Sequence, residues 1–297
     1  MTADNQFHYQ DLEKFYNVPG GDRTVFVTMD CDWAPDFVIK YAFNWFFSHG
    51  IPFTIFMTHE SEYVKSMTSG GLFEVGIHPN FIDAYTEDGP VEGYMDMIND
   101  LKKVYPSAIG SRSHRNMCSR TTYDALRGCE IKYDVSKLLW GAKHAEVSPL
   151  YCESPRVWNG RNYVTVGGFN NMIEAPYVWE DGVVLGMYLN KNCDSMSPLG
   201  IHNTPGLKIL NVHPMLFYLN CWHLDDFYKA VRPIKDLTKV SADDISDKVR
   251  KVWGPNSQLP GISKHTSTAI CNLKDDDFTF HKLSEVMLPA YEQENLR

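Results

Sequence analysis

Apolar residues recur along this chain in two rhythms, short unbroken runs and helical spacings, and the two rhythms alternate. Residues 24–30 (TVFVTMD) form a β-branched, apolar run that suits a buried strand. Residues 36–49 carry Phe37, Val38, Tyr41 and Trp45 at helical spacing, and Gly50 follows as a stop. Residues 52–57 (PFTIFM) and 74–78 (EVGIH) read as further strands, the second ended by Pro79. A helix is predicted over 92–105, a short strand over 109–114, a helix over 119–127 that Ser119 can cap, and a strand over 131–134. The stretch from about 140 to 205 is rich in Gly, Pro, Asn and Trp, which predicts loops and short strands. Residues 207–213 (LKILNVH) are again a buried strand, closed by Pro214, and 278–287 read as a short strand entering a helix.

Strand and helix alternating in short repeats imply parallel strands with right-handed crossovers. The expected fold is α/β, a distorted (β/α) barrel of seven or eight strands. It is expected as a single domain over 1–297, with its core at about 24–287 and a surface excursion at about 231–262, where prolines, glycines and charges gather.

The polar residues that end the apolar runs carry the chemistry. They are Asp30 and Asp32, His78, Arg112 and His114, and His213. In a parallel barrel the carboxyl ends of the strands share one rim, so these residues converge. In an extended chain Asp30 and Asp32 project to the same side, an unfavourable pairing unless a cation or a proton lies between them. The plain alternative is a strand that ends in an acidic turn, with each histidine a structural hydrogen-bonding residue. Imidazole plus carboxylate suits Zn²⁺ and similar divalent ions, with an open position for water.

Composition narrows the partners. The chain has 297 residues, 43% hydrophobic and 13% aromatic, enough for a sizeable core and too rich for disorder. Its net charge of −9 and the lack of a basic stripe argue against nucleic acid. No basic region precedes an apolar segment at the N-terminus, and no stretch reaches the length of a membrane span, which predicts a cytoplasmic chain. Seven cysteines, scattered and without CxxC spacing, read as free thiols.

At these motifs the chain resembles the polysaccharide deacetylase, or NodB-homology, superfamily (carbohydrate esterase family 4). The resemblance runs from about Thr24 to Met287. Thr28-Met29-Asp30-Cys31-Asp32 resembles the first motif, with Asp-x-Asp in place of the usual adjacent pair. Gly50 to Phe56 resembles the entry to the second strand, and Val75-Gly76-Ile77-His78 the start of the histidine motif. Ser111-Arg112-Ser113-His114 resembles the arginine motif, Gly128 to Ser136 (with Tyr133-Asp134-Val135-Ser136) the strand after it, and Leu210 to Pro214 the last motif. Phe280 to Glu285 resembles the common terminal segment. The His-Pro-Asn-Phe and Arg-Ser-His combination is most similar to the WbmS-type branch, associated with bacterial surface polysaccharides. One position departs: the usual second histidine, four residues after the first, is Ile82. His114 is the expected substitute, with Asn80 or Asp83 next in line.

The resemblance implies a metal-dependent hydrolase that removes an N- or O-acyl group from a carbohydrate or nucleotide-sugar-like substrate. Asp32, His78 and His114 then hold a divalent metal, Zn²⁺ being the expected ion, which lowers the pKa of water from ~15.7 toward ~7. Asp30 is the general base, Arg112 its ion-pair partner, and His213 the general acid. Two other classes fit the same residues: a hydrolase of cyclic amides or other C–N bonds, and a non-catalytic sugar-binding relative. Trp140, Trp158, Tyr177 and Trp179 could stack on sugar faces, although core packing is the better expectation for each. Glu180-Asp181 reads as a turn, His144 and His202 as surface residues, Asp134 and Ser136 as a hydrogen-bonded loop, and Trp222-His223 as a cap on the next helix.

Overall fold

The computed structural model describes residues 23–67, 71–82, 92–138, 165–166, 172–187, 208–245 and 261–294. Strands β1 (Thr24–Asp30), β2 (Phe53–Met57) and β3 (Phe73–Ile77) are followed by the two-residue strands β4 (Gly110–Ser111), β5 (Tyr133–Asp134), β6 (Thr165–Val166), β7 (Ile173–Glu174) and β8 (Trp179–Glu180). Strands β9 (Lys208–Val212) and β10 (Thr279–His281) complete the sheet. Helices α1 (Asp36–Ser48), α2 (Glu62–Ser66), α3 (Glu92–Val104), α4 (Arg120–Gly128) and α5 (Asp181–Met187) separate the strands. The last four are α6 (Pro214–Leu219), α7 (Leu224–Val231), α8 (Ile262–Asp275) and α9 (Ser284–Glu294).

Parallel pairings join β9 to β1, β1 to β2, β2 to β3, β3 to β4 and β4 to β5. The extended segment 173–180 then crosses from one end of this row to the other. It starts as β7, parallel to β5, and ends as β8, parallel to β9. Between them the Tyr177 N–H donates to Lys137 O at 2.8 Å and the Val178 N–H to Ile209 O at 2.9 Å. The row therefore returns on itself as a distorted (β/α) barrel, the expected class. Its positions are β1, β2, β3, β4, β5, the 173–180 segment and β9. β10 adds to the start of β1, and β6 lies antiparallel on β7.

Two apolar cores flank this wall. Val25, Val27 and Met29 of β1 join Phe53, Ile55 and Met57 of β2, Leu210 and Val212 of β9, and the α1 face Val38, Ile39, Ala42, Phe43 and Phe46. Phe26, Phe56, Tyr133, Tyr177 and Ile209 form the second core, inside the barrel, with Leu283 just before the last helix and Val286 and Met287 within it. That helix plugs the barrel: Ser284 N–H donates to Glu74 Oε1 at 2.9 Å and Leu283 N–H to Thr54 Oγ1 at 3.1 Å. Strand positions alternate, so every second residue after Phe26, Phe56 and Ile209 faces the lumen. This puts Thr28, Asp30 and Asn211 on the inner face. Gly76 and Gly110 leave room there, since a Cβ at Gly76 would lie 2.6 Å from the Phe56 ring and one at Gly110 would lie 2.1 Å from Tyr133 Cζ.

Several elements differ from expectation. The strands predicted over 109–114 and 131–134 reduce to β4 and β5, because the chain leaves the sheet after Ser111 to form the rim. The cap at Ser119 forms, with Thr122 completing a capping box. His223 stands at the N-cap of α7 without a side-chain cap bond. Asn220-Cys221 and Gly261-Ile262 meet, with Ile262 N–H donating to Cys221 O at 2.9 Å, so the chain between them leaves and returns at one point. Residues 246–260 of the expected excursion lie outside the described residues. Cys31, Cys118, Cys129, Cys221 and Cys271 are free thiols. Among the described residues no helix is long and apolar enough to cross a membrane.

Candidate active site

Asp32, His78 and His114 meet at the rim, with one potential ligand atom from each lying within 4.8 Å of the others. His78 follows β3 directly, its side chain almost wholly buried. Its Nδ1 lies 2.6 Å from the Arg112 carbonyl. A carbonyl only accepts, so Nδ1 carries the hydrogen, and Nε2 faces Asp32 Oδ1 at 3.2 Å. An imidazole so oriented by a backbone carbonyl is the usual state of a metal-ligating histidine. His114 Nδ1 lies 3.1 Å from the same oxygen. Asp32 itself is 30% exposed on its side chain, which leaves the cluster open to solvent. One carboxylate and two imidazoles with an open side fit a divalent ion such as Zn²⁺.

The route to this cluster is not the expected one. Asp30 is the last residue of β1, and Asp32 has already left the strand with φ 43°. Residues 31–34 form a turn closed by Ala34 N–H to Cys31 O at 2.8 Å, with Asp32 and Trp33 (φ 57°) both left-handed. Each such residue costs about 1–2 kcal/mol. The turn, rather than strand alternation, brings Asp32 over the rim. His114 likewise begins a 3₁₀ turn, followed by left-handed Arg115 and Asn116. Arg112 points into the barrel while His114 stays at the rim, so the two do not share one side of an extended segment.

Asp30 sits deeper, buried and bonded on both oxygens. Arg112 Nη1 donates to Oδ1 at 3.0 Å and Asn211 Nδ2 to Oδ2 at 2.7 Å. The Arg112 guanidinium is fully buried between the rings of Phe56 and Tyr177, 5.0 and 4.4 Å from their centroids. It also donates to Thr28 Oγ1 at 2.7 Å, Asn211 Oδ1 at 2.6 Å and the Val135 carbonyl at 3.0 Å. Burial pushes the Asp30 carboxyl up, but Arg112, His78 and His213 outweigh it and hold it below the ordinary value. Burial acts on Asp32 in the same direction and is outweighed by hydrogen bonds from His114 and His78, so Asp32 is held far below the carboxylate range.

His213 closes the opposite side, at the N-cap of α6. Its Nδ1 lies 2.6 Å from Asp181 Oδ1, and its backbone N–H donates to Asp181 Oδ2 at 2.8 Å. Nδ1 therefore carries a hydrogen, and Nε2 faces Asp32 Oδ2 at 3.6 Å and Asp30 Oδ2 at 3.9 Å. Burial lowers the imidazole pKa, yet Asp181 and the neighbouring carboxylates raise it well above its ordinary value.

Asp181 is the site residue that sequence reasoning missed. Read from sequence as part of a turn, it is fully buried at the start of α5. The pairing of Glu180 with Asn211 in β8 and β9 sets it beside His213. Asn211 and Thr28 were also missed, both hidden inside apolar strands. Tyr177 and Trp179 pack in the cores, as expected. Tyr177 also donates to Glu180 Oε2 at 2.6 Å and accepts from Asn116 Nδ2 at 2.7 Å. Ser136 bonds Asp134 through N–H and hydroxyl at 3.0 and 2.9 Å, and its Oγ accepts Ser113 N–H at 2.8 Å. That loop braces the segment between Arg112 and His114. Ile82, where a second histidine was expected, is exposed. Asp83, Trp140, His144, Trp158 and His202 lie outside the described residues.

A family model described as WbmS-like polysaccharide deacetylase matches residues 27–232. No curated protein matches the chain. Among solved structures, one from Bordetella bronchiseptica, WbmS, is described as a polysaccharide deacetylase involved in O-antigen biosynthesis. It is 20% identical, covering 85% of this chain and 98% of that one, with a TM-score of 0.61. A Mycobacterium smegmatis protein described as a polysaccharide deacetylase is 14% identical over 87% of this chain and 98% of its own, with a TM-score of 0.47. The likeness to WbmS shows a shared fold.

Proposed function

Because the chain belongs to the WbmS-like polysaccharide deacetylase family, we propose that it is a metal-dependent hydrolase removing an N- or O-acyl group, acetyl or formyl, from a sugar. Assembly of a bacterial surface polysaccharide is the setting, in line with the O-antigen role given for the Bordetella protein. The observation that carries the reading is one rim that joins a three-residue ligand cluster to a buried carboxylate on one side and a carboxylate-paired histidine on the other.

Asp32, His78 and His114 are the residues that would hold the ion, with zinc the proposed identity. When bound, it supplies Lewis acidity toward the acyl carbonyl and toward water. Asp30, ionised beside Arg112, takes the proton of the attacking water through its carboxylate. Arg112 and Asn211 fix which lone pairs remain for that transfer. His213 presents Nε2–H to the leaving nitrogen or oxygen and donates its proton as the C–N or C–O bond breaks. Asp181 holds Nδ1–H, so the proton that moves is the one on Nε2.

The test is a comparison of substrates on His213→Ala. An amine leaves poorly without a proton, whereas nitrophenolate leaves readily. His213→Ala should lose about 10²–10⁴-fold on an N-acetylated sugar and far less on p-nitrophenyl acetate. Equal losses on both would remove His213 from the role of proton donor.

A further inference from the structure

The turn that carries Asp32 contains a second left-handed residue, and that residue is a tryptophan. Aspartate tolerates this region because its short polar side chain bonds locally, and glycine would form the same turn without strain. The strain at Asp32 accompanies its place in the ligand cluster. Core packing does not account for the strain at Trp33. Among the described residues its ring belongs to neither apolar core, unlike those of Trp45, Trp179 and Trp222. The residue is partly exposed, and its one ring contact there is with His114, edge-on at 5.0 Å and 78°. The backbone N–H donates to Thr58 Oγ1 at 2.9 Å, which pins the turn, while the indole N–H has no partner among the described residues. Backbone strain kept at a site without a packing role points to function.

We propose that Trp33 is the platform on which the sugar ring of the substrate stacks, a role that rests on the acyl-sugar reading above. The C–H face of a pyranose ring covers the indole face, the indole N–H meets a ring hydroxyl, and the acyl group extends over Asp32 and His114. The ligand class is an acylated hexosamine-type ring, free or at the end of a larger glycan. The platform adds nothing to the chemical step, so it acts on binding of the sugar and not on the reactivity of the acyl group.

Saturation-transfer difference NMR on the zinc-loaded protein tests this, with the N-acetylated gluco-, galacto- and manno-hexosamines as probes. Wild type and Trp33→Phe should transfer saturation to the ring protons of at least one probe. Trp33→Gly should bind that probe about tenfold more weakly, the scale of one lost aromatic contact. It should keep its zinc and melt no lower than wild type, since glycine relieves the turn. Equal binding by wild type and Trp33→Gly overturns the proposal, as does a wild type that binds none of the probes. Loss of zinc from Trp33→Gly also overturns it, because Trp33 would then be a positioning residue for His114. Hydrolysis of p-nitrophenyl acetate, followed in parallel, keeps the two readings apart. A zinc-dependent esterase that binds no sugar rejects the platform and leaves the hydrolase. Sugar binding through Trp33 without any hydrolysis leaves the platform and rejects the hydrolase.

Discussion

Asp30 accepts one hydrogen bond on each oxygen from a buried donor, which makes it hard to replace. An asparagine there offers one acceptor where two are needed, and its NH₂ must face either Arg112 Nη1 or Asn211 Nδ2. Asp30→Asn should therefore lower turnover roughly 10²–10⁴-fold as the base is lost. It should also cost about 1–3 kcal/mol through the unmade bond, read by urea unfolding. Unchanged stability would mean that the Thr28–Arg112–Asn211 network rearranges. In the proposed mechanism His213 must be protonated to donate, so activity should fall as pH rises through its raised pKa. Asp181→Asn removes the charge that raises it and should move the alkaline limb of the pH–rate profile about 1–3 pH units lower. The acid limb, which the proposed mechanism assigns to Asp30, should stay. The sign for stability is the same: the His213–Asp181 pair stabilises the fold below the ordinary imidazole pKa, and the contribution is lost as pH rises through the raised one.

At the scale of the element, the long strands were legible because both of their faces are buried. Residues 24–30, 52–57, 74–78 and 207–213 read as largely apolar runs for that reason. The same burial hid the division between the two faces. Thr28 and Asn211 looked like interruptions in hydrophobic strands, although they line the lumen beneath Asp30. Strands β7 and β8 are two residues long and carry no periodicity, so the segment that closes the barrel left no signal, and Asp181 at its end passed for a turn. His114 was legible as a ligand candidate from its residue type and its place after Arg112. Its path through left-handed Arg115 and Asn116 was not, since neither is glycine. Glycine does decide one packing contact. Gly110→Ala places a methyl group 2.1 Å from the Tyr133 ring and should cost about 1–3 kcal/mol, measurable as a lower urea midpoint. In the bracing loop, burial and then neighbouring Glu174 raise Asp134 from 3.8 to about 7, against the hydrogen bonds of Ser136. A raised folded-state pKa stabilises the fold below 3.8, and that stabilisation is lost as pH climbs toward 7. Asp134→Asn should flatten the melting temperature across that window, and an unchanged slope would assign it to another group.

At the scale of the whole molecule, the cluster joins three distant parts of the chain, the turn after β1, the end of β3 and the turn after β4. An ion bound there binds only the folded state, so it stabilises by about 2.7 kcal/mol when present at 100 times its Kd. Chelation should lower the melting temperature, and His114→Ala should lose the zinc-dependent rise while Asp30→Asn keeps it. The most direct measurement is acetate release from an N-acetylated sugar by metal-stripped protein titrated with zinc. Release should be absent without metal, rise to a plateau at one equivalent, and stay absent at every zinc concentration in Asp32→Ala. Acetate release from the stripped protein, or a zinc titration that Asp32→Ala follows as well as wild type, would contradict the assignment of Asp32, His78 and His114 as the metal centre of a deacylase.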